Sequence, residues 1–155
     1  MDIKIDPYRY SPLYGDQIRL LHLFAGLFHD ELTTTLEHVD LKQQPNYEAL
    51  SYTWGTSFKD CHVSCKTDTG IKKIAITKNL EAALRRLRSV EQTRVIWIDQ
   101  VCINQDDVKE RSSQVSRMGL IYSFAFQVCI WIGEGRSFQI SSSSWPIPCV
   151  AAPET

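Results

Sequence analysis

Between Ile71 and Ile132 the apolar residues change period repeatedly, and this constrains the fold more than any other feature. Ile71–Ile76 reads as a hairpin strand, and Arg94–Ile98 and Val128–Ile132 are short runs of β-branched and aromatic residues, the pattern of strands buried on both faces. Two helical stretches separate them. In the first, Leu80, Ala83, Leu84 and Leu87 fall at i, i+3, i+4 and i+7, with Thr77 or Asn79 placed to cap the start. The second starts near Asp107, where Glu110 three residues on makes a capping-box-like beginning. Its stripe is Val108, Val115, Met118, Gly119, Tyr122, Ala125 and Phe126; Leu120, Ile121 and Phe124 make its last turns apolar almost all round, which predicts a buried end. Strands alternating with helices build a parallel sheet with crossover helices. The expected fold is α/β, a mainly parallel sheet with flanking helices, with strands 94–98 and 128–132 side by side and running the same way.

The earlier half adds strands. Ile18–Phe24 is an apolar run ended by Gly26, Leu32–Leu41 alternates and is Thr-rich, and Tyr47–Trp54 closes at Gly55. Cys61–Cys65 and Ile71–Ile76 flank Asp68-Thr69-Gly70, so residues 61–76 are expected to form an added β-hairpin. Residues 1–17, rich in Pro and Tyr, form an N-terminal arm. The domain proper is 18–135. From 136 to 155 the four serines Ser141–Ser144 and Pro146, Pro148 and Pro153 describe a low-complexity, disordered tail.

A net charge of −1 with no basic stripe argues against nucleic acid as a partner. No run approaches the roughly 20 apolar residues of a membrane span. The start, Met1-Asp2-Ile3-Lys4, lacks the apolar core of a secretory signal. With that start, five cysteines (Cys61, Cys65, Cys102, Cys129 and Cys149) point to reduced thiols and a cytoplasmic location. Cys61-His62-Val63-Ser64-Cys65 lacks a second ligand pair, so no metal site is expected. Arg85, Arg86 and Arg88 lie off the apolar stripe of their helix and are expected to form a solvated basic face. The seven glycines never take a phosphate-loop or dinucleotide spacing.

Three blocks carry a resemblance. They are Tyr47-Glu48-Ala49-Leu50-Ser51-Tyr52-Thr53-Trp54-Gly55, Ile74–Leu80 continuing through Leu87-Arg88, and Trp97-Ile98-Asp99-Gln100-Val101-Cys102-Ile103-Asn104-Gln105. The last runs on through Glu110-Arg111, Gln114-Val115, Ile121-Tyr122 and Trp131-Ile132-Gly133. Together they resemble the heterokaryon incompatibility (HET) domain of filamentous fungi over residues about 18–133. The resemblance implies a flavodoxin/TIR-like architecture and a part in self/non-self recognition and regulated cell death through protein partners, including self-association. Through the TIR domains it also implies an alternative, an NAD-hydrolysing enzyme with NAD as substrate rather than cofactor. A third reading, a shortened inactive remnant, follows from the early Ser/Pro tail.

Asp99 is placed at the C-terminal end of a parallel strand, where ligands of open α/β sheets bind. Asn104, Gln105, Glu110 and Arg111 follow on the next loop and helix start, and Ser51, Trp54 and Gly55 end another strand. If there is glycosidic chemistry, Glu110 is its candidate, because a carboxylate stabilises a developing oxocarbenium charge; otherwise Glu110 and Arg111 are capping and ion-pair residues. Asp99, Asn104 and Gln105 equally suit loop capping. Cys102 has no cationic neighbour in sequence and is expected to be an inert thiol.

Overall fold

The computed structural model describes residues 4–55, 58–133 and 137–141. In chain order these residues form β1 (Gln17–Leu23), β2 (Thr33–Asp40), β3 (Glu48–Tyr52), β4 (Cys61–Thr67), β5 (Gly70–Ile76), α1 (Lys78–Leu87), β6 (Arg94–Trp97), α2 (Asp99–Cys102), α3 (Val108–Ser116), α4 (Met118–Phe124), β7 (Gln127–Trp131) and β8 (Ser137–Ser141). The strands make one eight-stranded sheet in the order β5-β4-β2-β1-β6-β3-β7-β8.

The fold is α/β, but the sheet is mixed rather than mainly parallel. β6–β3, β3–β7 and β2–β4 are parallel. The pairs β1–β2, β1–β6, β4–β5 and β7–β8 are antiparallel. The reason lies in β1, which runs against both neighbours yet buries Ile18, Leu20, Leu21 and Leu23 almost completely. A strand covered on both faces shows a continuous apolar run whichever way its neighbours point. Strands β6 and β7 do share a direction, but β3 lies between them. Its Ala49 and Leu50, with Tyr47 just before, have no exposed surface, so the segment from earlier in the chain takes the centre of the parallel trio.

The hairpin stands where the sequence placed it, at one edge of the sheet. Its turn closes with Gly70 at φ +117°, a left-handed conformation that suits glycine. Helix α1 also matches: the Thr77 hydroxyl accepts from the Leu80 amide at 3.3 Å, and Leu80, Ala83, Leu84 and Leu87 are buried. Burying each leucine contributes about 1.5–3 kcal/mol.

The basic face of α1 is solvated only in part: Arg86 is exposed, but Arg85 and Arg88 are engaged. Arg88 is only 8% exposed and donates to the carbonyls of Leu27, Phe28, Asp30 and Glu31. Arg85 donates to the carbonyls of Phe28 and Asp30 at 2.9 and 2.8 Å. The two guanidiniums supply hydrogen bonds that the β1–β2 turn cannot make to itself. Replacing Arg88 by alanine is expected to cost about 2 kcal/mol, the scale of hydrogen bonds to a charged group. Lysine, with no planar fork, is expected to recover little of it. Urea unfolding of both variants measures this.

Two expectations from the second helical stretch fail. The segment 99–105, expected as a loop, opens with the short helix α2. The single helix from Asp107 is two, α3 and α4, parted at Arg117 (φ −99°, ψ −3°). The inward face also differs from the expected stripe. Gln114, Ile121 and Ala125 turn inward, while Val108, Val115, Leu120 and Phe124 are 52–62% exposed. The end predicted to be buried is therefore buried at Ile121 and Ala125 but open at Leu120 and Phe124. The tail differs too: Ser137–Ser141 pairs along β7 as β8. The rest of the expected disordered tail, residues 142–155 and 136, lies outside the described residues.

Candidate functional site at the strand tips

Strands β3, β6 and β7 end at the same edge of the sheet, and their last residues are laced together by polar side chains. Trp54, just beyond β3, donates its indole N–H to the Asp99 carboxylate, with Nε1 3.3 Å from Oδ1 and 3.2 Å from Oδ2. Asp99, just beyond β6, also accepts from the Gln100 amide at 2.7 Å. The Gln105 side chain returns to donate to the Asp99 carbonyl at 2.8 Å, and Arg111 Nη1 donates to the Gln105 carbonyl at 2.8 Å. From α1, Asn79 donates to the Thr53 carbonyl at 2.5 Å and accepts from Trp131 Nε1 at 3.0 Å. Gly55 sits beside Asn79 with φ +70°. The half-buried Ser51 lies on β3 next to Tyr52, and the Tyr122 hydroxyl donates to the Leu50 carbonyl at 3.2 Å. Ser51, Trp54, Gly55, Asp99 and Gln105 are thus gathered at one edge.

Burial pushes the Asp99 carboxyl above its ordinary value, against the pull of Trp54 and the Gln100 amide. The Tyr52 phenol is pushed far up, first by burial and then by the Asp99 charge. A carboxyl whose pKa rises on folding stabilises the fold while protonated and loses that contribution as pH rises through its folded pKa. The stability of the native chain relative to Asp99→Asn is therefore expected to fall as pH is raised from about 4 through the carboxyl range. Asp6, Asp16, Glu31 and Glu81, all held below their usual values, change in the opposite sense in both proteins and cancel in the difference. Paired denaturation curves across pH test the sign.

Glu110 belongs to a different network. It pairs with Arg19 of β1, whose side chain has no exposed surface, while that of Glu110 is 9% exposed. The two guanidinium nitrogens make a bidentate contact, Nη2 to Oε2 at 3.1 Å. The Asn104 amide adds a third donor at 2.8 Å to Oε1. The capping box is consequently half made. Asp107 caps α3 by accepting from the amides of Lys109 and Glu110 at 3.0 and 3.1 Å, but Glu110 turns to Arg19 instead of returning to the Asp107 amide. A buried guanidinium outcompetes a backbone amide at the surface.

Arg19 is the residue the motifs missed. It also donates to the Cys102 carbonyl at 3.0 Å and the Ser11 carbonyl at 2.6 Å, joining four segments. The signal was a charge inside the apolar run of β1, which calls for a buried partner. Cys102 is fully buried and its thiol pKa is pushed up to about 12, chiefly by burial, so it is a poor nucleophile. Among the described residues no group of three or more His, Cys, Asp and Glu could hold a metal ion. No described helix is long and apolar enough to cross a membrane.

With this geometry in view, known proteins bear on the chain. The family model of the heterokaryon incompatibility protein (HET) matches residues 47–146, from the start of β3 through the strand tips to beyond β8. The chain belongs to the HET family. It is 38% identical over 126 residues to a Neurospora crassa protein named Heterokaryon incompatibility protein 6, OR allele. That match covers 75% of this chain and 18% of the relative, so the chain spans under a fifth of that protein. No solved structure matches it. The HET motif blocks supply Trp54, Asn79, Asp99, Gln105 and Glu110, whereas Arg19, which holds Glu110, lies before the matched segment.

Proposed function

We propose that this HET domain acts in heterokaryon incompatibility as an interaction module, promoting regulated cell death by assembling with further copies of itself. The observation that carries this reading is the open apolar face of α3 and α4, with Val115, Leu120 and Phe124 each at least half exposed. Such side chains are ordinary when scattered, but Leu120 and Phe124 lie four apart on one face of α4, with Val115 on the helix before it, a surface suited to a partner. The similarity to a heterokaryon incompatibility protein supports the biological setting, and a cytoplasmic location is part of the proposal. Kinship with TIR domains belongs to the same reading.

The NAD-hydrolysing alternative gains nothing from the site. Both Glu110 carboxylate oxygens are engaged by Arg19, and Oε1 also accepts from Asn104, which leaves the group fastening the fold. The test of the assembly reading is expression in a filamentous host beside Leu120→Asp and Phe124→Asp. Both changes lie on exposed positions and are expected to leave the fold intact. Loss of growth arrest and of higher-order species in light scattering is the expected result. Variants that still arrest growth and still assemble as the native chain does overturn the reading.

A further inference from the structure

The N-terminal arm touches the sheet edge at a single bridge and forms no strand of its own. Of residues 4–14, Tyr8, Tyr10 and Leu13 alone are half-buried and the rest are exposed. Its attachments are few and separate. Pro7 forms one bridge with Lys73 at the β5 edge, where the Tyr8 amide donates to the Lys73 carbonyl at 2.9 Å and the Lys73 amide to that of Asp6 at 2.8 Å. Lys72 pairs with Asp6. The Tyr10 hydroxyl donates to the Val101 carbonyl of α2 at 2.7 Å. The Tyr10 ring lies 4.8 Å from the Arg19 guanidinium carbon, and Arg19 Nη2 grips the Ser11 carbonyl.

The arm does not fill its channel. Open recesses of about 210 Å³, lined by Tyr10 and Asn104 among others, and about 490 Å³, lined by Tyr8 and Thr69 among others, lie beside it. Where the arm meets β1, the chain turns at Tyr14–Gln17 with Gly15 at φ +58°, a ready hinge. A segment with so little buried surface opens at a free energy well below that of global unfolding. Two of its fastenings bear on the strand-tip segment, because Tyr10 holds α2 and Arg19 holds Ser11, Cys102 and Glu110 together.

We propose that residues 4–13 are a releasable strap: they lift off as a unit and, in doing so, loosen the 99–105 segment and uncover the Arg19–Glu110 pair. The inference stands apart from the assembly reading, since it concerns the opposite end of the chain and needs no second copy. Closed, the strap keeps the tip segment shut; anything that binds the freed arm or its channel holds that segment open.

Amide exchange of the full chain, followed residue by residue, tests it. The Tyr8, Lys73 and Asn104 amides are expected to exchange at least about a hundred-fold faster than those of β1 and β6, which open only on global unfolding. Tyr10→Ala is expected to speed all three by about ten-fold more, with β1 and β6 quickened by no more than the same factor because global unfolding loses the contact as well, and Tyr10→Phe, which loses only the hydroxyl bond, by several-fold. In parallel, modification of Arg19 by phenylglyoxal, read by mass spectrometry, is expected to quicken in the same order. If Tyr8 and Lys73 exchange as slowly as β1, the arm is a fixed part of the fold and the strap is overturned. If Asn104 and Arg19 fail to follow Tyr8 in either variant, the coupling is overturned even though the arm moves.

Discussion

Replacing Arg19 by leucine is expected to destabilise the chain by about 3–5 kcal/mol, the cost of leaving one member of a buried ion pair alone. The expectation follows from the burial of both partners. Arg19 has no exposed side-chain surface and Glu110 only 9%, so neither charge can be rehydrated in place. The loss also strands the Ser11 and Cys102 carbonyls, and with them the seat of the arm and the end of α2. Removing both partners is a different matter. In Arg19→Leu with Glu110→Leu no charge is left buried, and apolar replacements of buried pairs are often neutral. The double variant is therefore expected to be more stable than Arg19→Leu alone, with a coupling of about 2–3 kcal/mol in a double-mutant cycle. Additive losses, with the double variant the least stable of the set, would falsify the view that Glu110 serves mainly to neutralise Arg19.

Much of the fold was legible because the relevant signals are local. The Thr77 cap and the Leu80–Leu87 stripe define α1 with no help from the rest of the chain, and Gly70 marks the hairpin turn. What misled were features that depend on neighbours. The run Ile18–Leu23 reports burial on both faces and is silent about direction and neighbours, so β1, expected as an addition at the edge, stands inside the sheet with an antiparallel partner on each side. Projecting residues 108–126 by apolar content put Val108 and Val115 on the inner face, but the inward positions are Gln114, Met118, Ile121 and Ala125, so Leu120 and Phe124 stand outward. The site divided in the same manner. Asp99 and Trp54 were placed at a strand edge by sequence, and they meet there. Glu110 was weighed against its neighbours in the chain, yet its partner is 91 residues away on β1. Arg88 was assigned to solvent because helical periodicity places a side chain relative to its own helix and says nothing of the loop laid over it.

A second buried charge closes the other end of the parallel trio, and it yields the second large prediction. Glu48 on β3 is 5% exposed and accepts from Arg94 of β6, with Nε at 2.7 Å and Nη2 closer still, and from the Gln127 side chain of β7. Each strand of the trio thus supplies one member of the cluster. The registers Glu48↔Ile96 and Glu48↔Gln127 bring the three together at the strand starts, opposite the Trp54–Asp99 edge. Arg94 keeps 19% of its side-chain surface exposed, against 6% for Glu48, so the two partners are unequal. Losing Arg94 leaves a buried carboxylate with an amide as its main donor, whereas losing Glu48 leaves a cation that can reach water and still hold the Leu87 carbonyl at 2.6 Å. Arg94→Met is accordingly expected to cost about 3–4 kcal/mol and Glu48→Gln about half of that. Thermal and urea unfolding of the two variants gives the order, and a Glu48→Gln loss as large as that of Arg94→Met would mean that geometry, rather than unequal burial, sets the strength of the cluster. The strand-tip network depends on this outcome. Asp99 and Trp54 keep their 3.2 Å contact only while β3 and β6 hold register, and the Glu48–Arg94 pair is the polar contact that fixes that register at the far end.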